Sequence, residues 1–171
     1  MENELESLKF PIGKYKAILD FNFSRTIENI KTLESFSDDL RKSVKGLDKT
    51  DLKKSYRNGG MNIAQIIHHF CDTHTYAFLR TKHTLLEDNP NVKMYDVAEF
   101  LTTPDSNVLD VKDSLNVIEG VHAKWVSLLK TLSENDLKKT YYHSSRDKNI
   151  ILHEHVGMYA WHTKHHIMHI E

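Results

Sequence analysis

The chain has 171 residues, 39% of them apolar and 27% charged, and a formal net charge of −1 with its 12 histidines neutral. That length suits one domain with a real core, and the balanced charge offers no single-sign field for nucleic acid or an anionic membrane. The single cysteine, Cys71, excludes an internal disulfide; the acidic start MENELESLKF is unlike a secretory signal and no apolar run nears the roughly 20 residues of a membrane span, so the expectation is a soluble cytoplasmic protein.

Helical spacing dominates the chain. A first helix is predicted over 24–45, where Ile27, Ile30, Leu33, Leu40 and Val44 recur on one face, with Ser24 as cap and Gly46 as stop. After the break at YRNGG, Asn62 and Gln65 form a capping-box pattern ahead of a second helix over 63–87, carrying Ile63, Ile66, Ile67, Phe70, Ala77 and Phe78. A polar connection, 88–108, contains Pro90 and Pro104 and is long enough to hold a helical turn near YDVAEF. A third helix is predicted over 109–132, with Leu115, Ile118, Trp125 and Leu129 inward, and a fourth over 150–169, with Leu152, Val156, Tyr159 and Ile167. DLKKSY (51–56) precedes the second helix and DLKKTY (136–141) precedes the fourth. Two related hairpins would build an all-α four-helix bundle, a single domain over 1–171.

The histidines are the chemistry-bearing feature. On a helix, residues i and i+4 stack on one face, so His162 and His166 form a pair one turn apart, on a face with His155, Met158, Tyr159 and His169. Such a pair can chelate a metal, or it can be two hydrogen-bonded core histidines. A third ligand is on offer in IIHHFCDTH. There His74 falls mid-face as a core histidine, whereas His68 and His69 lie on opposite flanks, and periodicity does not choose between them. A di-iron carboxylate site wants two Glu-x-x-His motifs, and only Glu119–His122 is present. Cys71 has no catalytic partner on its own face and reads as a small packed residue. The glycines of NGG mark a turn rather than a phosphate loop.

The order of motifs resembles the DinB/YfiT-like family of metal-dependent hydrolases, the YfiT branch in particular. The likeness rests on PIGKYK (11–16), YRNGG (56–60), QIIHHFCDTH (65–74), YDVAEF, HAKW (122–125), YYH (141–143) and YAWHTKHHIMHI (159–170), in that order. It implies a four-helix bundle with one divalent metal on three histidines: His69, the second of HHF, with His162 and His166. Zinc is the default, with nickel, iron or manganese as substitutes. It also implies an enzyme acting on a small molecule, either a hydrolase or an S-transferase joining a low-molecular-weight thiol to an electrophile, and it makes a homodimer the expected assembly. The chain departs from the family pattern at Met61 and Met94, and the family's last helix runs beyond the position of Glu171. Glu154, His155, Tyr159 and Asp72 are candidate partners of the ligand histidines or proton carriers. The alternative is a non-catalytic metal-binding bundle, its shell closed by a fourth ligand such as His155 or His165.

Overall fold

The computed structural model describes residues 2–92 and 95–171; Met94 lies outside them. A short helix α1, Glu2–Lys9, opens the chain. It was not expected, because only Leu5 and Leu8 mark its apolar side and both stay largely exposed. Helix α2, Phe23–Ser43, starts one residue earlier than predicted. Its cap is Asn22 rather than Ser24: the Asn22 side chain accepts from the Arg25 N–H at 2.9 Å. Gly46 follows the helix with a φ of +84°, a left-handed stop that suits glycine.

Helix α3, Ile63–Leu86, carries the predicted capping box, with Asn62 Oδ1 accepting from the Gln65 N–H at 2.8 Å and Gln65 Oε1 accepting from the Asn62 N–H at 3.1 Å. The long connection holds the expected turn as helix α4, Val97–Phe100. Helix α5, Lys112–Leu129, follows, then one turn of helix, α6, Glu134–Leu137. The last helix, α7, Leu152–Ile167, begins later than predicted, because Ile150 and Ile151 belong to a β-hairpin. Strands β1, Thr140–His143, and β2, Lys148–Ile151, pair antiparallel with Thr140 opposite Ile151 and His143 opposite Lys148. Tyr141, His143 and Ile150 are buried, and Asp147 makes the turn at φ +47°.

The DLKK echo is structural as well. Leu52 and Leu137 are both buried. The first N–H of α3, from Ile63, donates to Lys54 O at 3.0 Å, and that of α7, from Leu152, donates to Lys139 O at 2.9 Å. Ser55 bridges Asn62 as Thr140 pairs with Ile151. The two halves do not form the expected side-by-side hairpins, however. Helix α2 packs on α5 and α7, and α3 packs on α5 and α7, so the two long helices of each half, α2 with α3 and α5 with α7, sit diagonally across the bundle. The core between them holds Leu33, Phe36, Leu40, Ile66, Phe70, Ile118, Trp125, Leu129 and Val156, each no more than 2% exposed. Trp125, the largest, satisfies its indole N–H on Thr81 Oγ1 at 3.0 Å. This arrangement brings one face of α3 against the last turns of α7. Among the described residues no helix is long and apolar enough to cross a membrane.

Candidate metal centre

Where α3 meets α7, His69, His162 and His166 each present one ring nitrogen within 4.8 Å of the other two. His69 Nε2 and His162 Nε2 are 3.1 Å apart. Two nitrogens bonded to one tetrahedral zinc at ~2.05 Å would stand about 3.3 Å apart, so the spacing already suits a shared cation. His68, the other flank of α3, is fully engaged elsewhere: its ring nitrogens meet Ser114 Oγ at 2.8 Å and Val108 O at 3.0 Å.

The partners on the far side of each ring set its tautomer. His122 Nδ1 lies 2.8 Å from Leu33 O. A carbonyl only accepts, so this nitrogen carries the proton and a neutral His122 leaves Nε2 as acceptor. His74 Nδ1, 2.7 Å away, must then donate to it. That leaves His74 Nε2 as acceptor for His162 Nδ1–H at 3.1 Å. The proton of His162 is thereby held on the outer nitrogen, and the lone pair of Nε2 faces the other two histidines. The same logic runs from the opposite end. His169 Nε2 donates to Leu8 O at 3.0 Å, so His169 Nδ1 accepts from His166 Nδ1–H at 3.2 Å, leaving His166 Nε2 unprotonated. His69 Nδ1 lies 3.2 Å from Thr73 Oγ1, one turn on, which is 2.5 Å from the Tyr95 hydroxyl. Two backbone carbonyls, on α1 and α2, thus fix the donor state of two rings on α7, those of His162 and His166. This is the outer-partner arrangement that orients metal-binding imidazoles.

Electrostatics agree with neutral rings. Burial pushes His69 down to about 4, with His165 adding repulsion, and holds His162 and His166 well below the usual imidazole range, their neighbouring histidines reinforcing it. Burial also takes His122 to about 4 and His74 well down. A neutral cluster with no carboxylate in it offers lone pairs and no compensating charge. That is a donor set for a cation, and the nitrogen-rich chemistry fits zinc and its neighbours rather than calcium or magnesium.

Two members of the cluster, His69 and His162, line a cavity of about 490 Å³ along with Thr73, Tyr95, Tyr159 and Trp161. A larger cavity of about 680 Å³, between residues 12–22 and the faces of α2 and α7, touches none of the three histidines. A second group, His165, His166 and His169, also brings its nitrogens together. It shares His166, and its member His169 is tied to Leu8 O, so the two groups compete for one ring. All three of its rings are buried, whereas the first group opens to a cavity.

Most of the other expected residues are engaged with other partners. His155 is saturated by the Tyr141 hydroxyl at 2.9 Å and Ala77 O at 3.2 Å, and cannot close the shell. His165 stands in the second group, stacked on Trp161. Glu154 pairs with Lys148 at 3.4 Å on the wall of the larger cavity, and Tyr159 accepts from Arg80 at 3.2 Å. Asp72 is half-buried on α3 and lines neither cavity. Glu119 is on the surface, paired with Arg41 at 2.6 Å, so the Glu119–His122 motif is no metal-site element. The partners that do orient the cluster are Thr73, His74, His122 and His169. Of these, Thr73 stands at i+4 from His69 and His169 at i+3 from His166, a helical stacking that is visible in the sequence.

A four-helix bundle with three converging imidazoles beside a cavity defines a class: helical-bundle proteins with a candidate metal centre. The chain belongs to the DinB superfamily, whose pattern it matches over residues 32–170, and within it to the YfiT branch. It is 38% identical over 164 residues to a relative from Oceanobacillus iheyensis, covering 95% of this chain and 93% of that one. A Geobacillus kaustophilus relative is 35% identical over 162 residues, covering 95% and 91%. Both relatives are provisionally named metal-dependent hydrolases. The solved structure of YfiT from Bacillus subtilis, described as a probable metal-dependent hydrolase with an unusual four-helix bundle topology, superposes with a TM-score of 0.93 at 32% identity, covering 96% of this chain and 94% of that one. A mycothiol-dependent maleylpyruvate isomerase shares the fold, with a TM-score of 0.69 at 13% identity over 88% of this chain and 63% of that one.

Proposed function

We propose that His69, His162 and His166 hold one divalent cation, zinc by default, and that the protein is a metal-dependent enzyme of the hydrolase or thiol S-transferase type. The observation that carries this reading is the three-nitrogen group, with no fourth protein ligand in it among the described residues, two of whose members line a cavity. Three neutral ligands leave a divalent ion its full charge and an open position. When bound, such an ion supplies Lewis acidity, lowering the pKa of a water or thiol that enters that position.

The chain's own residues do the rest. Leu33 O, His122 and His74 keep the proton of His162 away from the site, and Leu8 O and His169 do the same for His166. The Thr73–Tyr95 hydroxyl pair takes the outer nitrogen of His69. Tyr95, Tyr159 and Trp161 wall the cavity, restricting water and giving a flat apolar surface to a substrate. Burial drives the Tyr95 and Tyr159 hydroxyls upward, so both stay protonated and serve as donors. Thiol transfer is preferred over hydrolysis on family resemblance, which also supports a homodimer; the proposed cytoplasmic location rests on the sequence alone.

The test is turnover by zinc-loaded protein. A panel of cellular thiols is offered with an electrophile such as 1-chloro-2,4-dinitrobenzene, and separately aryl esters and anilides are offered with water. Thiol conjugation lost in His162→Ala supports the S-transferase form. Ester or amide cleavage alone reverses the preference in favour of hydrolysis. No activity in either arm from protein carrying a full metal load points to the non-catalytic bundle.

A further inference from the structure

The cavity beside the three histidines is lined by aromatic rings and two guanidiniums, Arg80 and Arg146, and no Asp or Glu among the described residues lines it. Arg80 lies three turns along α3 from His69 and is only 4% exposed. Its Nη1 donates to the Tyr159 hydroxyl at 3.2 Å, and the Tyr159 ring centroid is 5.9 Å from that of His162. The guanidinium therefore stands one aromatic ring away from a member of the cluster. It also sits over the Tyr76 ring at 5.5 Å, which holds its plane. Arg146 reaches the same cavity from the exposed β1–β2 turn, with its Nη1 3.5 Å from Met158 Sδ.

His143 is a third, independent sign. It lines the cavity, is 5% exposed, and its Nδ1 is buried with no hydrogen-bond partner among the described residues. A buried polar atom left open in a cavity wall is an atom a ligand satisfies. Burial takes His143 down to about 4, and Arg146 and Arg80 add to that shift; Arg80 likewise pulls Tyr95, Tyr141 and Tyr159 down against their burial. Its field thus reaches across the wall of the cavity. Charge of one sign along a low-dielectric cleft selects a ligand of the other sign, and the arginine fork matches carboxylate and phosphate oxygens.

We propose that the substrate carries an anionic oxygen terminus, a carboxylate or a phosphate, that is received by Arg80 and Arg146 beside His143 while the rest of the molecule extends towards the histidine cluster. The placement of the terminus is independent of the metal; the placement of the reacting end rests on the proposed function above.

The experiment compares matched probes by calorimetry: 4-phenylbutyrate, 4-phenylbutyl phosphate and 4-phenyl-1-butanol, which differ in the terminus. Each is titrated into metal-free and zinc-loaded protein, in wild type, Arg80→Gln and Arg146→Gln, with folding checked by circular dichroism. Arg146 is on the surface, so its variant keeps the test intact if Arg80→Gln fails to fold. The expected result is that at least one acid binds metal-free wild type on the order of tenfold tighter than the alcohol. That preference should shrink several-fold in Arg146→Gln and further in Arg80→Gln. Whichever acid shows the preference names the oxyanion. Equal binding of acid and alcohol to metal-free protein overturns the proposal, as does a preference that survives both substitutions or appears only with zinc. Loss of zinc binding with the acid preference intact would instead sink the metal reading and leave this one standing.

Discussion

His74 is the middle link between Leu33 O and His162, and its removal separates orientation of the cluster from its mere presence. In His74→Leu, a change of similar volume, His122 Nε2 and His162 Nδ1–H both lose their partner inside the bundle. Each orphaned buried group costs about 1–3 kcal/mol, so the metal-free protein should lose about 2–6 kcal/mol. His162 then has no carbonyl-anchored chain keeping its proton outward. Loss of such an outer partner weakens metal binding roughly 10- to 100-fold, equivalent to about 1.4–2.7 kcal/mol. His74→Gln is the control: its amide oxygen can accept from His162 and its amide N–H can donate to His122. The assay is competition for zinc with a chromophoric chelator, alongside thermal unfolding of the metal-free proteins. The glutamine variant should keep most of the affinity that the leucine variant loses. A folded His74→Leu protein that holds zinc within about twofold of wild type would refute the idea that this chain sets the ligand's tautomer.

Three further outcomes are expected. His169→Phe should weaken zinc binding through His166 by a comparable factor, roughly tenfold or more, in the same competition assay; unchanged affinity would mean that the Leu8 O–His169 contact does not orient the ligand. Metal-free protein should lose stability as pH falls. Burial holds His69 and His122 near 4, His155 near 3, and His74, His162 and His166 well below the usual range, whereas an unfolded imidazole titrates near ~6.5. The unfolded chain therefore binds the extra protons, and stability that is full above about pH 6.5 declines below it by up to about 1.4 kcal/mol per pH unit for each such histidine. Urea titrations across that range check it, and a protein as stable at about pH 5 as at about pH 7.5 would contradict it. Zinc at about 100 times its dissociation constant should raise stability by about 2.7 kcal/mol, read as a melting shift that chelator reverses and that His162→Ala abolishes.

Much of this fold was legible because its long helices are strongly periodic. The faces of Ile30, Leu33 and Leu40, of Ile66 and Phe70, and of Ile118, Trp125 and Leu129 are all buried as their spacing requires. The parts that escaped are those in which few residues carry the signal. Helix α1 has two leucines, and the strands of the hairpin are four residues each, too short for the alternation of Tyr141 and His143 to outweigh the helical reading of Ile150 and Ile151. The diagonal placement of α2 against α3 and of α5 against α7 is a property of the connections, which helical periodicity does not record. In the candidate site, the i,i+4 spacing of His162 and His166 was visible, and so was the core role of His74, which is fully buried and hydrogen-bonded at both nitrogens. The choice between His68 and His69 was not, because it depends on what faces each flank of α3: Ser114 and Val108 on one side, α7 on the other. In the sequence His122 stands out in Glu119–His122 and in HAKW, and neither pattern points to a contact with another helix. Its actual role depends on Leu33, distant in sequence, and no local pattern announces such a contact.

The central claim is that three imidazoles, from His69, His162 and His166, share one cation and leave a position open. X-ray absorption of zinc-loaded protein, with metal content measured on the same sample, tests it directly. The account predicts one zinc per chain, three imidazole nitrogen neighbours at ~2.0–2.1 Å and one oxygen neighbour from water, with the load lost in His69→Ala, His162→Ala and His166→Ala. Four histidine neighbours, or a metal load unchanged by all three substitutions, would contradict it.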